Sequence, residues 1–167
     1  IQKGLSLDVM ISFPQMPEVA DFARAVPDLP IILNHIGALS RVGIYANRED
    51  EVRATWRAGI AAVAACPNIT LKLGGMGMPR MGFDWHTRAV PIGSEELAED
   101  MSPWMTYCIE QFGPDRCMFE SNFPPDKVSF SYNVMYNAFK RLSSAYSPSE
   151  RAAMFHGTAA KVYRIDV

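Results

Sequence analysis

Hydrophobic and polar positions follow two rhythms along this chain. Short, nearly unbroken apolar runs stop at polar residues or prolines, and between them lie longer stretches in which apolar residues recur three and four apart. The first rhythm predicts strands and the second amphipathic helices. Strands are expected at Leu5 to Phe13, interrupted by Asp8, at Pro30 to His35, at Ile69 to Gly74 and at Arg116 to Ser121. Pro14 and Pro17 open a first helix, with Met16, Val19, Ala20, Phe22, Ala23 and Val26 as its apolar positions, and Pro27 closes it. A second helix runs from Arg48 to Ala65, with Trp56 and Ile60 on its apolar face. A third opens at Ser94, read as its cap, with Glu95, Glu96 and Glu99 in its first turns, and ends at Phe112 before Gly113-Pro114. Helices at Val128 to Ser144 and Pro148 to Val162 close the chain.

Strands alternating with helices imply right-handed crossovers and a parallel sheet, hence an α/β fold. Two architectures meet that order: an open doubly wound sheet, or about half of an eight-stranded barrel. A nucleotide-binding open sheet places a glycine-rich turn after its first strand. Here that turn is Pro14-Gln15-Met16-Pro17, which favours the half-barrel. The segment Gly75 to Gly93, with Phe83, Asp84, Trp85 and His86, is long enough to be a lid or binding loop.

Composition narrows the function classes. A content of 49% hydrophobic and 20% charged residues is that of a globular protein, and a net charge of −2 without charge runs offers no footprint for nucleic acid or an acidic membrane surface. No apolar run approaches a membrane span. Cys66, Cys108 and Cys117 are odd in number and set in apolar surroundings, which points to reduced buried thiols and a cytoplasmic location. The chain starts at Ile1, just before a strand, which points to a piece of a longer polypeptide.

Candidate chemistry gathers where strands end, the place where parallel α/β proteins hold their active sites. The second strand ends in Asn34, His35, Ile36 and Gly37, the third carries Lys72 and ends in Gly-Gly, and the fourth runs into Glu120, Ser121 and Asn122 before two prolines. Three such tips suggest one shared site. His35 suits a metal ligand, a proton carrier or a polariser of a carbonyl, and the plainer reading is a histidine satisfied by backbone carbonyls. Glu120 is read either as catalytic or as the buried partner of Lys72. Asn122 is read as a donor that orients substrate. Arg41 and Tyr45 suit a substrate carboxylate, against a solvated arginine, and Trp85 and His86 suit a cover over substrate, against a loop packed by its own aromatics. No nucleophile elbow and no cysteine-histidine metal spacing is present.

Four segments, PQMPEVADFARAVPDLPIILNHIG, LKLGG, GPDRCMFESNFP and FHGTAAKVYRI, resemble the C-terminal half of the amidohydrolase-related enzymes of lactonase and decarboxylase type. The resemblance implies about the last four strands of a distorted TIM barrel, residues 1–167 being its C-terminal half with the N-terminal half absent. It also implies a hydrolase of a small carboxylate-bearing lactone or related carbonyl compound. Its alternatives are a metal-dependent non-oxidative decarboxylase and an inactive fragment or half-barrel assembly module. His35, Glu120 and Asn122 are then the catalytic candidates, His35 the tentative metal ligand, and Arg41, Tyr45, Trp85 and His86 the substrate-binding candidates. The cofactor is open; one divalent metal, zinc or manganese, would have an incomplete ligand set in this chain. The partners implied are a small-molecule substrate and either the other half of the barrel or further copies of the chain. Two departures stand out: Phe13 where relatives commonly carry a histidine, and Asn122 where many carry the aspartate of Ser-Asp-Trp-Pro.

Overall fold

Four strands lie side by side in one parallel sheet, in chain order: β1 (Leu7–Val9), β2 (Ile31–Leu33), β3 (Ile69–Leu73) and β4 (Cys117–Phe119). The computed structural model describes residues 4–166, so Ile1 lies outside the described residues. Helix α1 (Met16–Ala25) follows β1, α2 (Glu49–Ala64) follows β2 and α3 (Ser94–Phe112) follows β3. After β4 come α4 (Tyr132–Leu142), α5 (Pro148–Ala152), a π-helical turn (Ala153–Gly157) and α6 (Thr158–Tyr163). The alternation of strand and helix is the expected one.

The register aligns Leu7 with Ile31, Ile31 with Ile69, and Leu71 with Cys117. Side chains alternate across a pleated strand, so Ile31, Leu33, Ile69, Leu71, Leu73, Cys117 and Phe119 share one face and pack with the helices in the core. Met16, Val19, Ala20 and Ala23 supply the stripe of α1, and Trp56 and Ile60 the stripe of α2. Phe22 falls off the α1 stripe and is exposed. The opposite face carries Asp8, Ile32, Thr70, Lys72 and Met118.

That second face corrects the pairing of Lys72 with Glu120. Lys72 stands opposite Met118, one pleat below Glu120, whose backbone N–H bonds Leu73. Lys72 reaches across the sheet instead, and its Nζ donates to Asp8 Oδ1 at 2.7 Å, where the Tyr163 hydroxyl also donates at 2.7 Å. Burial would lower the Lys72 ammonium, but its hydrogen bonds to Asp8 and Tyr163 outweigh burial and raise it.

Boundaries moved where local pattern met tertiary limits. The first strand pairs over three residues because β2, its one strand neighbour among the described residues, ends at Leu33. Gly93 caps α3, and Ser94 is its first helical residue, accepting a hydrogen bond from Arg141. Arg116 precedes β4 rather than opening it, and its guanidinium donates to the carbonyls of Phe112, Cys66, Ile69 and Ala64, tying the end of α2 to the start of β3. All three cysteines are free and buried, and burial pushes the Cys108 thiol well up and Cys117 to about 12. Among the described residues, no helix is long and apolar enough to cross a membrane.

Candidate active site

β2 leaves the sheet through an uncommon bend. Asn34 is extended, and then His35, Ile36, Gly37 and Ala38 all take positive φ, at 57°, 47°, 73° and 51°. A left-handed conformation costs a non-glycine residue roughly 1–2 kcal/mol, so a run of four needs support from its surroundings. Ile36 is wholly buried, its carbonyl accepts the Trp56 indole N–H at 2.8 Å, and Gly37 N–H bonds Asn34. The bend turns His35 toward β4 rather than along its own strand.

There it meets Glu120. Glu120 Oε1 accepts from the His35 backbone N–H at 3.1 Å and lies 2.5 Å from the imidazole Nδ1. Both side chains are largely withdrawn from water, 12% and 15% exposed. In the neutral imidazole, a carboxylate beside Nδ1 places the proton on that nitrogen and the lone pair on Nε2. No protein partner occupies Nε2 or Glu120 Oε2 among the described residues, and neither is among the atoms shut off from solvent. The tip of β3 makes room for this pair: Gly75 has φ +69°, and a side chain there would overlap the His35 ring, as one at Gly74 would overlap Glu120. Three strand tips therefore converge on His35 and Glu120.

Asn122 lies close by but bonds neither. It also has positive φ, 48°, and its Nδ2 donates to Asp126 Oδ1 at 2.6 Å. Asp126 is 1% exposed. Its other oxygen accepts the Gly77 N–H at 3.0 Å. Burial pushes the Asp126 carboxyl up to about 6, opposed by the hydrogen bonds from Gly77 and Asn122 and by His35, and aided by Glu120. Asp126 is the residue that sequence reasoning missed. Its only signal was an acidic residue just after Pro124-Pro125, and nothing local marks it as buried.

Arg41 and Tyr45 share a cavity of ≈380 Å³ with Gly82 and Asp84. Arg41 is held there by Glu49 at 3.2 Å and by the face of Phe83, 5.0 Å away, while Tyr45 sits edge-on to Phe13. Phe13 is a core residue, 1% exposed. Tyr45 also borders a second cavity of ≈460 Å³ with Met10, Ala38 and Ser40, at the ends of β1 and β2. Trp85 packs among the aromatics of its own loop. It is 4% exposed, stacked on Phe83, with its indole N–H on Asp100 at 2.8 Å, so it fastens the long loop to α3. His86 is exposed on the outside of that loop, with no hydrogen-bond or ion-pair partner among the described residues.

A profile of the amidohydrolase family matches residues 2–165. The chain belongs to the amidohydrolase family. It is 37% identical over 164 residues to protein y4mH of Sinorhizobium fredii, covering 98% of this chain and 48% of that protein. It is 30% identical over 161 residues to an L-fucono-1,5-lactonase of Burkholderia multivorans, covering 95% of this chain and 51% of that protein. An amidohydrolase from Burkholderia multivorans whose crystal structure holds zinc superposes with a TM-score of 0.82 at 26% identity, over 99% of this chain and 54% of that one. The chain thus spans about half the length of the curated relatives it matches, and its four parallel strands with their helices correspond to part of an amidohydrolase barrel.

Zinc or manganese finds an incomplete donor set here. Among the described residues no three His, Cys, Asp or Glu side chains gather as a metal site. His35 has spent Nδ1 on Glu120, which leaves one imidazole nitrogen and one carboxylate oxygen, fewer than a divalent ion takes.

Proposed function

We propose that the protein containing this chain hydrolyses a small lactone, with His35 as the proton carrier and Glu120 as the group that orients it. The observation that carries this reading is the 2.5 Å contact between His35 Nδ1 and Glu120. A base held at one nitrogen by a carboxylate has its other nitrogen aimed, and the imidazolium that forms during proton transfer is stabilised by the same carboxylate. In hydrolysis, His35 Nε2 takes a proton from water as the water oxygen bonds to the lactone carbonyl carbon. The tetrahedral centre then collapses, the bond from carbon to ring oxygen breaks, and the proton passes from His35 to that oxygen. The product is a hydroxy acid, and His35 returns neutral.

The family and the lactonase-named relative support a lactone hydrolase in general terms. A six-membered sugar lactone is the first substrate to test, after that relative's name. Arg41 and Tyr45 are proposed to hold the rest of the substrate in their shared cavity. A carboxylate on the substrate has less support, because Arg41 already faces Glu49. No arrangement among the described residues favours decarboxylation.

The test uses the complete polypeptide that carries this chain. It is expected to open 1,5-lactones, and His35→Gln is expected to lower kcat by ~10²–10⁴, the usual worth of a positioned acid-base group, with circular dichroism unchanged. A folded His35→Gln protein with native turnover would remove the reading.

A further inference from the structure

Asp126 has no part in the proton transfers, yet it is a carboxylate 1% exposed beside the site. Burying such a group is costly unless polar partners meet it, and those it has belong to two different segments. Oδ2 accepts from Gly77, at the base of the long loop between β3 and α3, and Oδ1 accepts from Asn122, just past β4. Asp126 N–H bonds the Asn122 carbonyl, which closes a ring between the two residues. Ser129 Oγ donates to the Gly77 carbonyl at 2.5 Å, so both backbone polar groups of Gly77 are held. A side chain at Gly77 would come within 2.9 Å of Asp126 and 2.7 Å of Phe130, so the loop approaches this closely only with glycine there.

The polarity of the contact has a consequence for Asn122. An amide has a donating side and an accepting side, and the donating side faces Asp126. The carbonyl oxygen then points away from Asp126; it has no partner among the described residues and is not cut off from solvent. We propose that Asp126 is a positioning residue that locks the Asn122 amide with its carbonyl oxygen toward the His35–Glu120 pocket, where it accepts a hydrogen bond from the attacking water or a substrate hydroxyl. Asn122 thereby acts as an acceptor, the reverse of the donor its sequence position suggests. The role given to the carbonyl rests on the hydrolase reading; the locked orientation does not.

The deciding experiment compares Asp126→Asn with the exchange Asn122→Asp/Asp126→Asn in the complete polypeptide. In the single variant the new amide at position 126 still accepts from Gly77 but presents NH₂ to Asn122, which must turn over and put its own NH₂ toward the pocket. Turnover is expected to fall roughly tenfold or more, the worth of a lost hydrogen bond, with KM nearly unchanged. In the exchange the introduced carboxylate at 122 accepts from the amide at 126 and again offers an oxygen to the pocket, so kcat is expected to recover most of the loss. Equal slowness of both variants, or native turnover of the single variant, overturns the proposal. Orientation has a second readout, the Asn122 side-chain NH₂ resonances, which the charged acceptor perturbs in the native protein and Asp126→Asn must shift. Unshifted resonances overturn the proposal whatever the activity, whereas shifted resonances in a protein that opens no lactone uphold the lock and sink the hydrolase reading. Should Asp126→Asn fail to fold, Asn122→Ala leaves Asp126 its Gly77 bond and is expected to lose the same factor in kcat; native turnover there overturns the proposal as well.

Discussion

At His35 one imidazole nitrogen is held by Glu120 and the other has no partner among the described residues. Strand-end position was enough to mark His35 and Glu120 in the sequence, because each follows an apolar run that a parallel sheet must bury. Their direct contact was not legible, since they are 85 residues apart. Asp126 is the opposite case: an ordinary acidic residue by pattern, made unusual by burial. Its carboxyl rises from the ordinary 3.8 to about 6, with burial as the largest cause. The folded state therefore holds this proton more tightly than the unfolded chain does. The stability it contributes is fully present below about pH 4 and is lost as pH rises through about 6, a change on the order of 3 kcal/mol. Glu120 strengthens this rise, while His35, Gly77 and Asn122 oppose it. Urea midpoints measured from about pH 4 to pH 7 should fall with pH more steeply for the native protein than for Asp126→Asn. Parallel profiles would show that Asp126 does not titrate in this window.

Among the elements, the left-handed turn after β2 and the glycine pair after β3 set the geometry together. The turn brings His35 over the end of β3, and only a residue without a side chain leaves space for the ring. Gly75→Ala is expected to cost about 1–3 kcal/mol, from its positive φ and the overlap, and to lower turnover by displacing His35. Gly93→Ala is the control, because open space surrounds that position and its φ is −83°. Thermal melts and kcat on both variants check this, and equal behaviour of the two would count against it. Gly37 and the Gly-Gly pair were visible as breaks in the apolar runs. Four successive left-handed residues were not, because Ile36 has no local preference for that conformation and accepts it only through burial and the Trp56 bond.

On the scale of the whole molecule, the helical segment after β4 packs against that strand, with Phe155 4.7 Å from Phe119. β1 has no second strand neighbour among the described residues, and Leu5, Leu7 and Met10 beside it are exposed at 63%, 38% and 53%. An uncovered edge with apolar side chains is a template for pairing with further strands. Residues 1–167 by themselves are therefore expected to elute and sediment as species larger than 18.6 kDa and to open no lactone. A stable, active monomer of that mass would show that these strands suffice. The chain spans about half the length of the curated relatives it matches.

Hydrophobic rhythm by itself determined the order of strands and helices, the parallel sheet and the polar strand tips, because periodicity is set by neighbours along the chain. Register, burial and pairing depend on which distant segments meet, and these only the tertiary structure decided. Lys72 could be matched with Glu120 until the register put Gly74 at that level and sent Lys72 to Asp8. Trp85 reads in sequence either as a cover for substrate or as part of a loop packed by its own aromatics, and the contacts with Asp100 and Phe83 that bury it come from the fold. Asp126 had no distinguishing pattern, and its importance comes wholly from being enclosed between a loop and a strand end that lie far apart in the chain.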